Sequence, residues 1–105
     1  MRLVNQETEI KKSIEFYQKC AHVMAGKAKD YSKNDDCFSN FKKIAQIVEI
    51  PVEKVFLVFM MVKIARIVEL LKNGSSAVGE SITDSLLDGC NYNTLMALWL
   101  EEKEA

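Results

Sequence analysis

Eight consecutive residues, Val55-Phe56-Leu57-Val58-Phe59-Met60-Met61-Val62, are all apolar, and they lie inside a segment with clear helix signals at both ends. Pro51 suits a first helical turn, where its missing N–H is not needed. Glu53 complements the N-terminal dipole, and Asn73-Gly74 forms a natural stop after Lys72. A helix apolar on every face is buried all round. A chain of 105 residues is too short to surround one helix by itself. The segment therefore predicts a helical bundle in which another subunit covers part of this helix.

The remaining periodicity is also helical. Ile10, Ile14, Tyr17, Ala21, Met24 and Ala28 step by three and four, which marks one face of a helix from about residue 6 to 28. The stretch Lys29–Asp36 reads as a polar loop, and a short helix is predicted from Phe38 to Val48. Ser75 to Gly79 reads as a second loop. A last helix runs from Glu80 or Ser81 to the C-terminus, with Ser81 and Asp84 spaced as a capping box. No alternating stretch bounded by hairpin turns suggests a strand. The expected architecture is one all-α domain over residues 1–105: a small antiparallel bundle of about four helices, assembled as a dimer or tetramer.

Bulk properties narrow the function. The net charge of −1 disfavours direct nucleic-acid binding. No apolar run is long enough to span a bilayer, and Met1–Lys12 lacks a signal peptide's apolar stretch. Three cysteines, Cys20, Cys37 and Cys90, have no paired spacing, which argues against a disulfide framework and a zinc site. His22 stands alone and reads as a surface or packing residue. The composition fits a reduced, cytoplasmic protein with no membrane partner.

Chemistry concentrates in the last helix. Glu80, Asp84, Asp88 and Asn91 fall within roughly a quarter of the helix circumference. Stacked carboxylates repel unless a cation sits between them, and Mg²⁺ takes a few carboxylate oxygens with waters and phosphates. Asp84, Asp88 and Glu80 are thus candidate metal ligands. The competing readings are a solvated polar face and, for Asp84, a helix cap. Gly89 inside this helix suggests close approach by another helix or a ligand.

On the preceding helix Lys63 and Arg66 lie one turn apart, with Glu69 beyond them. They read either as a phosphate clamp or as members of a structural ion-pair network with Asp84 and Asp88 across the bundle. A base or sugar could stack on Tyr31, Phe38 or Phe41 and be read by Asn40, although Phe38 and Phe41 read more readily as core. Asp30 is a turn residue, a partner for the third helix or a further ligand. No Ser–His–acid or Cys–His pairing and no Gly-rich phosphate loop is present. Any chemistry would be attack by water on a Mg²⁺-held phosphate, oriented by Asp84 or Asp88.

The ordered set Lys29-Asp30-Tyr31, Phe38-Ser39-Asn40-Phe41, Lys63-Ile64-Ala65-Arg66-Ile67 and Glu80–Asp88 with Asn91-Tyr92 resembles the nucleotide-modification-associated domain family, type one, of phages, prophages and bacteria. The resemblance extends from about residue 10 to 100. It implies an all-α domain that handles or modifies deoxynucleotides, with Asn91 and Tyr92 in the substrate site. The chain is more distantly similar to the all-α MazG-like and dimeric dUTPase pyrophosphohydrolases, which hold Mg²⁺ with one E-x-x-E pair and a later E-x-x-D pair. Asp88 matches the final aspartate of the second pair. Ser85 stands where its glutamate would be, with Asp84 one position further back, and Lys63 and Arg66 occupy the helix where the first pair belongs. That departure favours a divergent nucleotide-binding domain, or an enzyme with another arrangement of ligands.

Two functions follow as expectations. The first is binding of a deoxynucleotide phosphate, with Mg²⁺ as cofactor and pyrophosphohydrolysis as the enzymatic extension. The second is a non-catalytic helical oligomer that acts as a protein-interaction module, its acids and bases forming structural ion pairs.

Overall fold

A computed structural model describes residues 5–31, 36–73 and 81–104, and for residues 28–31 the backbone alone. The described residues form four helices and no strand: α1 (Gln6–Tyr31), α2 (Ser39–Val48), α3 (Val52–Asn73) and α4 (Ile82–Glu104). Helix α1 continues through Lys29, Asp30 and Tyr31, where the polar composition predicted a loop. Charge alone does not end a helix, and Ala and Lys favour it. Neither Gly nor Pro occurs between Lys27 and Tyr31 to stop it. The rest of that predicted loop up to Asp35, and the segment 74–80 with Glu80, lie outside the described residues.

The start of α4 follows the predicted capping box. Asp84 donates its backbone N–H to Ser81 Oγ at 3.1 Å, and Ser81 donates its own to Asp84 Oδ2 at 3.3 Å. Two otherwise orphaned donors are thereby satisfied. Asp36 performs a related service before α2, accepting from the Phe38 backbone N–H at 2.9 Å and from Lys42 Nζ at 2.8 Å.

Helices α3 and α4 pack antiparallel, since residues rising along α3 meet residues falling along α4. Glu53 accepts from Trp99 Nε1 at 3.0 Å and Lys103 Nζ at 2.8 Å. Further along, the Phe59 and Tyr92 rings lie 5.4 Å apart, and Lys63 meets Asp88 at 2.9 Å. Helix α1 runs along the other side of α4, where Lys27 reaches the same Asp88.

The core gathers where α2 crosses this pair. Phe38, Phe41 and Ala45 pack on Val55 and Phe56 of α3 and Leu95 of α4. Phe41 lies 4.6 Å from the Phe56 ring and Phe38 meets Trp99 edge-on at 5.4 Å. Offset and edge-on geometries suit the ring quadrupoles. Phe38 and Phe41 are therefore core residues, and Phe41 also borders the cleft described below.

The apolar run of α3 is divided. Val55 and Phe56 are buried within the single chain and Phe59 and Met60 are half-buried, but Leu57, Val58, Met61 and Val62 are exposed. One chain supplies α2 and α4 to cover one side of α3 and leaves the other side open. The run expected to be buried on every side is thus buried within the chain on one side only. No described helix is long and apolar enough to cross a membrane.

Glu49 ends α2 in the left-handed region, at φ 58° and ψ 46°, while its N–H caps Ala45 O. A side chain there costs roughly 1–2 kcal/mol against right-handed backbone, partly offset because glycine loses more freedom on folding. Glu49→Gly is expected to stabilise the fold by about 0.5–1 kcal/mol. Chemical denaturation of the two proteins checks this, and an equal or lower midpoint for the variant would refute it.

Candidate functional site

Helix α4 carries a polar line into the interior between α1 and α3. Ser85 is fully buried, Asp88 keeps only 13 % of its side chain exposed and Asn91 is 5 % exposed. This line begins at the capped end of the helix, where Asp84 is exposed and committed to the Ser81 cap. Asp84 and Asp88 therefore occupy different environments, although one turn separates them.

Asp88 holds two cations. Its Oδ1 accepts from Lys27 Nζ of α1 and its Oδ2 from Lys63 Nζ of α3, the latter at 2.9 Å. Burial pushes the Asp88 carboxyl pKa up, but hydrogen bonds from Lys27 and Lys63 outweigh it and hold the pKa below the ordinary value. Three helices are joined at one carboxylate. The ion pair between Lys63 and Asp88 was one of two sequence readings, and it is present. Lys27 was missed, because it lies beside the apolar line Ala21, Met24 and Ala28 and reads as a solvated flank. Arg66 is exposed on α3 and borders neither of the clefts below.

Between α1 and α4, with Cys37 and Phe41 closing one side, lies a half-open cleft of about 150 Å³. Its walls are mainly apolar, from Met24, Phe41, Tyr92 and Leu95, and Lys27, Asp88 and Asn91 supply the polar groups. Tyr92 packs edge-on to Phe41 at 6.4 Å. A second cleft of about 260 Å³ opens beside Tyr17, Cys20, Cys90 and Thr94, and Ala21, Met24 and Asn91 border both clefts. Asn91 Nδ2 is buried and has no hydrogen-bond partner among the described residues. An unpaired buried donor costs roughly 1–3 kcal/mol, so native proteins rarely keep one without a purpose.

Other predicted residues fall differently. Asn40 is half-buried on α2 and borders neither cleft. The side chains of Asp30 and Tyr31, and all of Glu80, lie outside the described residues. A methyl group built on Gly89 would meet nothing within 4 Å, so no close approach among the described residues explains that glycine.

The described residues do not make a ready Mg²⁺ cage. No group of three or more His, Cys, Asp or Glu side chains gathers among them. The carboxylate of Asp84 serves the backbone and that of Asp88 serves two ammonium groups. Nor is Cys20 an activated thiol. Burial pushes Cys20 up to about 11, with the Cys90 thiol adding to the effect, so Cys20 stays protonated at neutral pH.

No family model, curated protein or solved structure matches this chain.

Proposed function

We propose that the protein binds a nucleotide or deoxynucleotide in the cleft between α1 and α4, in a reducing, cytoplasmic setting. The buried Asn91 Nδ2, with no hydrogen-bond partner among the described residues, carries the reading, because it is a donor held ready in an apolar cleft. A cavity near this size holds about one aromatic ring. A base edged against Phe41 and Tyr92 would present a carbonyl or ring nitrogen to Asn91. Lys27 at the rim would meet the phosphate by exchanging its carboxylate partner for the incoming anion. Lys63 can contribute through the same Asp88. Mg²⁺, where it takes part, would arrive on the phosphates rather than wait in a preformed site. Pyrophosphohydrolysis is the further step that the resemblance to the MazG-like enzymes implies. The free thiols Cys20, Cys37 and Cys90 are in keeping with a reducing compartment.

Thermal melts against a panel of ribo- and deoxynucleotides, each with and without Mg²⁺, test the proposal. A ligand at a hundred times its dissociation constant adds about 2.7 kcal/mol of stability. Asn91→Leu is expected to abolish that gain while leaving the free protein as stable as before or more so, since it removes an unsatisfied donor with little change of shape. An unchanged melt with every nucleotide at millimolar concentration would end the nucleotide reading. A second reading, the non-catalytic interaction module, is favoured by the open apolar face of α3.

A further inference from the structure

Leu57, Met61, Ile64, Val68 and Leu71 step along α3 by four, three, four and three residues, and each is at least 44 % exposed. Val58 and Val62, also more than half exposed, widen the stripe. Residues at this spacing face one way, which is the pattern of a helix seam packed against another helix. No charged residue falls within the five-residue line itself, whereas on the side that Val58 and Val62 widen the exposed Glu69 follows Val62 by seven residues. Lys54 precedes it and Lys72 follows Leu71.

The area is large for a free surface. Seven such side chains, on the order of 100 Å² each, offer about 700 Å², whereas the largest apolar patch of an ordinary monomer is about 300–600 Å². A standard interface takes about 800 Å² from each partner.

We infer that the α3 stripe is the contact between two copies of this chain, related by a two-fold axis passing near Ile64. The stripe extends seven residues to Leu57 on one side and seven to Leu71 on the other, so it matches itself under a two-fold rotation. Because the five-residue line carries no charge, the centre of the contact brings no like charges face to face. Burial of the exposed apolar side chains drives the association. The inference is independent of what occupies the cleft, since none of the stripe residues borders it.

Sedimentation equilibrium at micromolar concentration tests it. The expected mass is twice the 11.9 kDa of the chain. Met61→Glu and Val68→Glu should each give a monomer with unchanged helical circular dichroism, because both side chains are exposed in the single chain. Ile14→Glu, on the exposed face of α1, should leave the dimer intact. A wild-type monomer would overturn the inference, as would charge variants that stay dimeric or an Ile14→Glu variant that alone dissociates. Should the charge variants fail to fold, Ile64→Cys remains decisive. Mild oxidation should give a disulfide-linked dimer beyond the background of the parent chain, and its absence would refute the contact.

Discussion

Phe56→Ala is expected to lower folding stability by about 3–5 kcal/mol, the usual cost of truncating a fully buried aromatic residue. Phe56 has no exposed surface, and its ring lies 4.6 Å from Phe41 and 6.4 Å from Phe38. Removing it opens a void where α2, α3 and α4 meet, and the two neighbouring rings lose their packing partner. For a domain of this size the melting temperature should fall on the order of 15–30 °C. The far-UV signal at low temperature should survive if stability exceeds the loss, and otherwise the variant is unfolded. Val48→Ala, at an exposed position of α2, provides the contrast and should shift stability by less than about 0.5 kcal/mol. Similar small losses in both variants would mean that the core is not centred on Phe56. Because Phe56 lies inside the single chain, the loss should not depend on protein concentration beyond the dependence of the wild type.

Asp88→Asn should destabilise the free protein at neutral pH by about 2–3 kcal/mol. The amide removes the shared negative charge and leaves Lys27 and Lys63 near each other in a site that is largely closed to water. The expected loss is smaller than the roughly 3–5 kcal/mol of a fully buried pair, because the Lys27 side chain is 38 % exposed and partly screened. Acid provides an internal check. The native carboxyl of Asp88 titrates below its ordinary value. Its contribution is thus fully present above the unfolded pKa of about 3.9 and is lost as pH falls through the lower native pKa. The gap between wild type and Asp88→Asn should be widest near neutrality and should close progressively below about pH 4. Denaturation series at several pH values decide this. A variant as stable as wild type at pH 7 would mean that both lysines escape to solvent. Stabilisation of the wild type by Mg²⁺ alone, removed by Asp88→Asn, would instead favour a carboxylate that exchanges its lysines for metal.

These two residues also show how far the sequence could be read. Phe56 stands in an unbroken apolar run, and hydrophobicity alone marks it for burial. Its neighbour Leu57 has the same chemistry and lies outside. The difference comes from which side of α3 receives α2 and α4, and no property of the run itself records that. Asp88 could be matched with Lys63 because short connections make α3 and α4 antiparallel neighbours. Its other partner, Lys27, is 61 residues away, and only the packing of α1 on α4 brings it near.

Whatever depends on local backbone chemistry was therefore determined by the sequence: helices as the sole regular elements among the described residues, their limits to within a few residues, and the Ser81–Asp84 cap. Periodicity and capping act over three or four residues, and a reader of the chain sees them directly. Even there, the helical continuation through Tyr31 followed propensity rather than polarity. The tertiary structure alone decided the rotation of each helix about its axis. That rotation buried Asn91 Nδ2 with no hydrogen-bond partner among the described residues, drew Lys27 and Lys63 onto one carboxylate, left Asp84 at the surface and turned half of the α3 apolar run outward. A side chain's environment is set by residues distant in the chain, and neither spacing nor composition encodes the relative rotation of two packed helices.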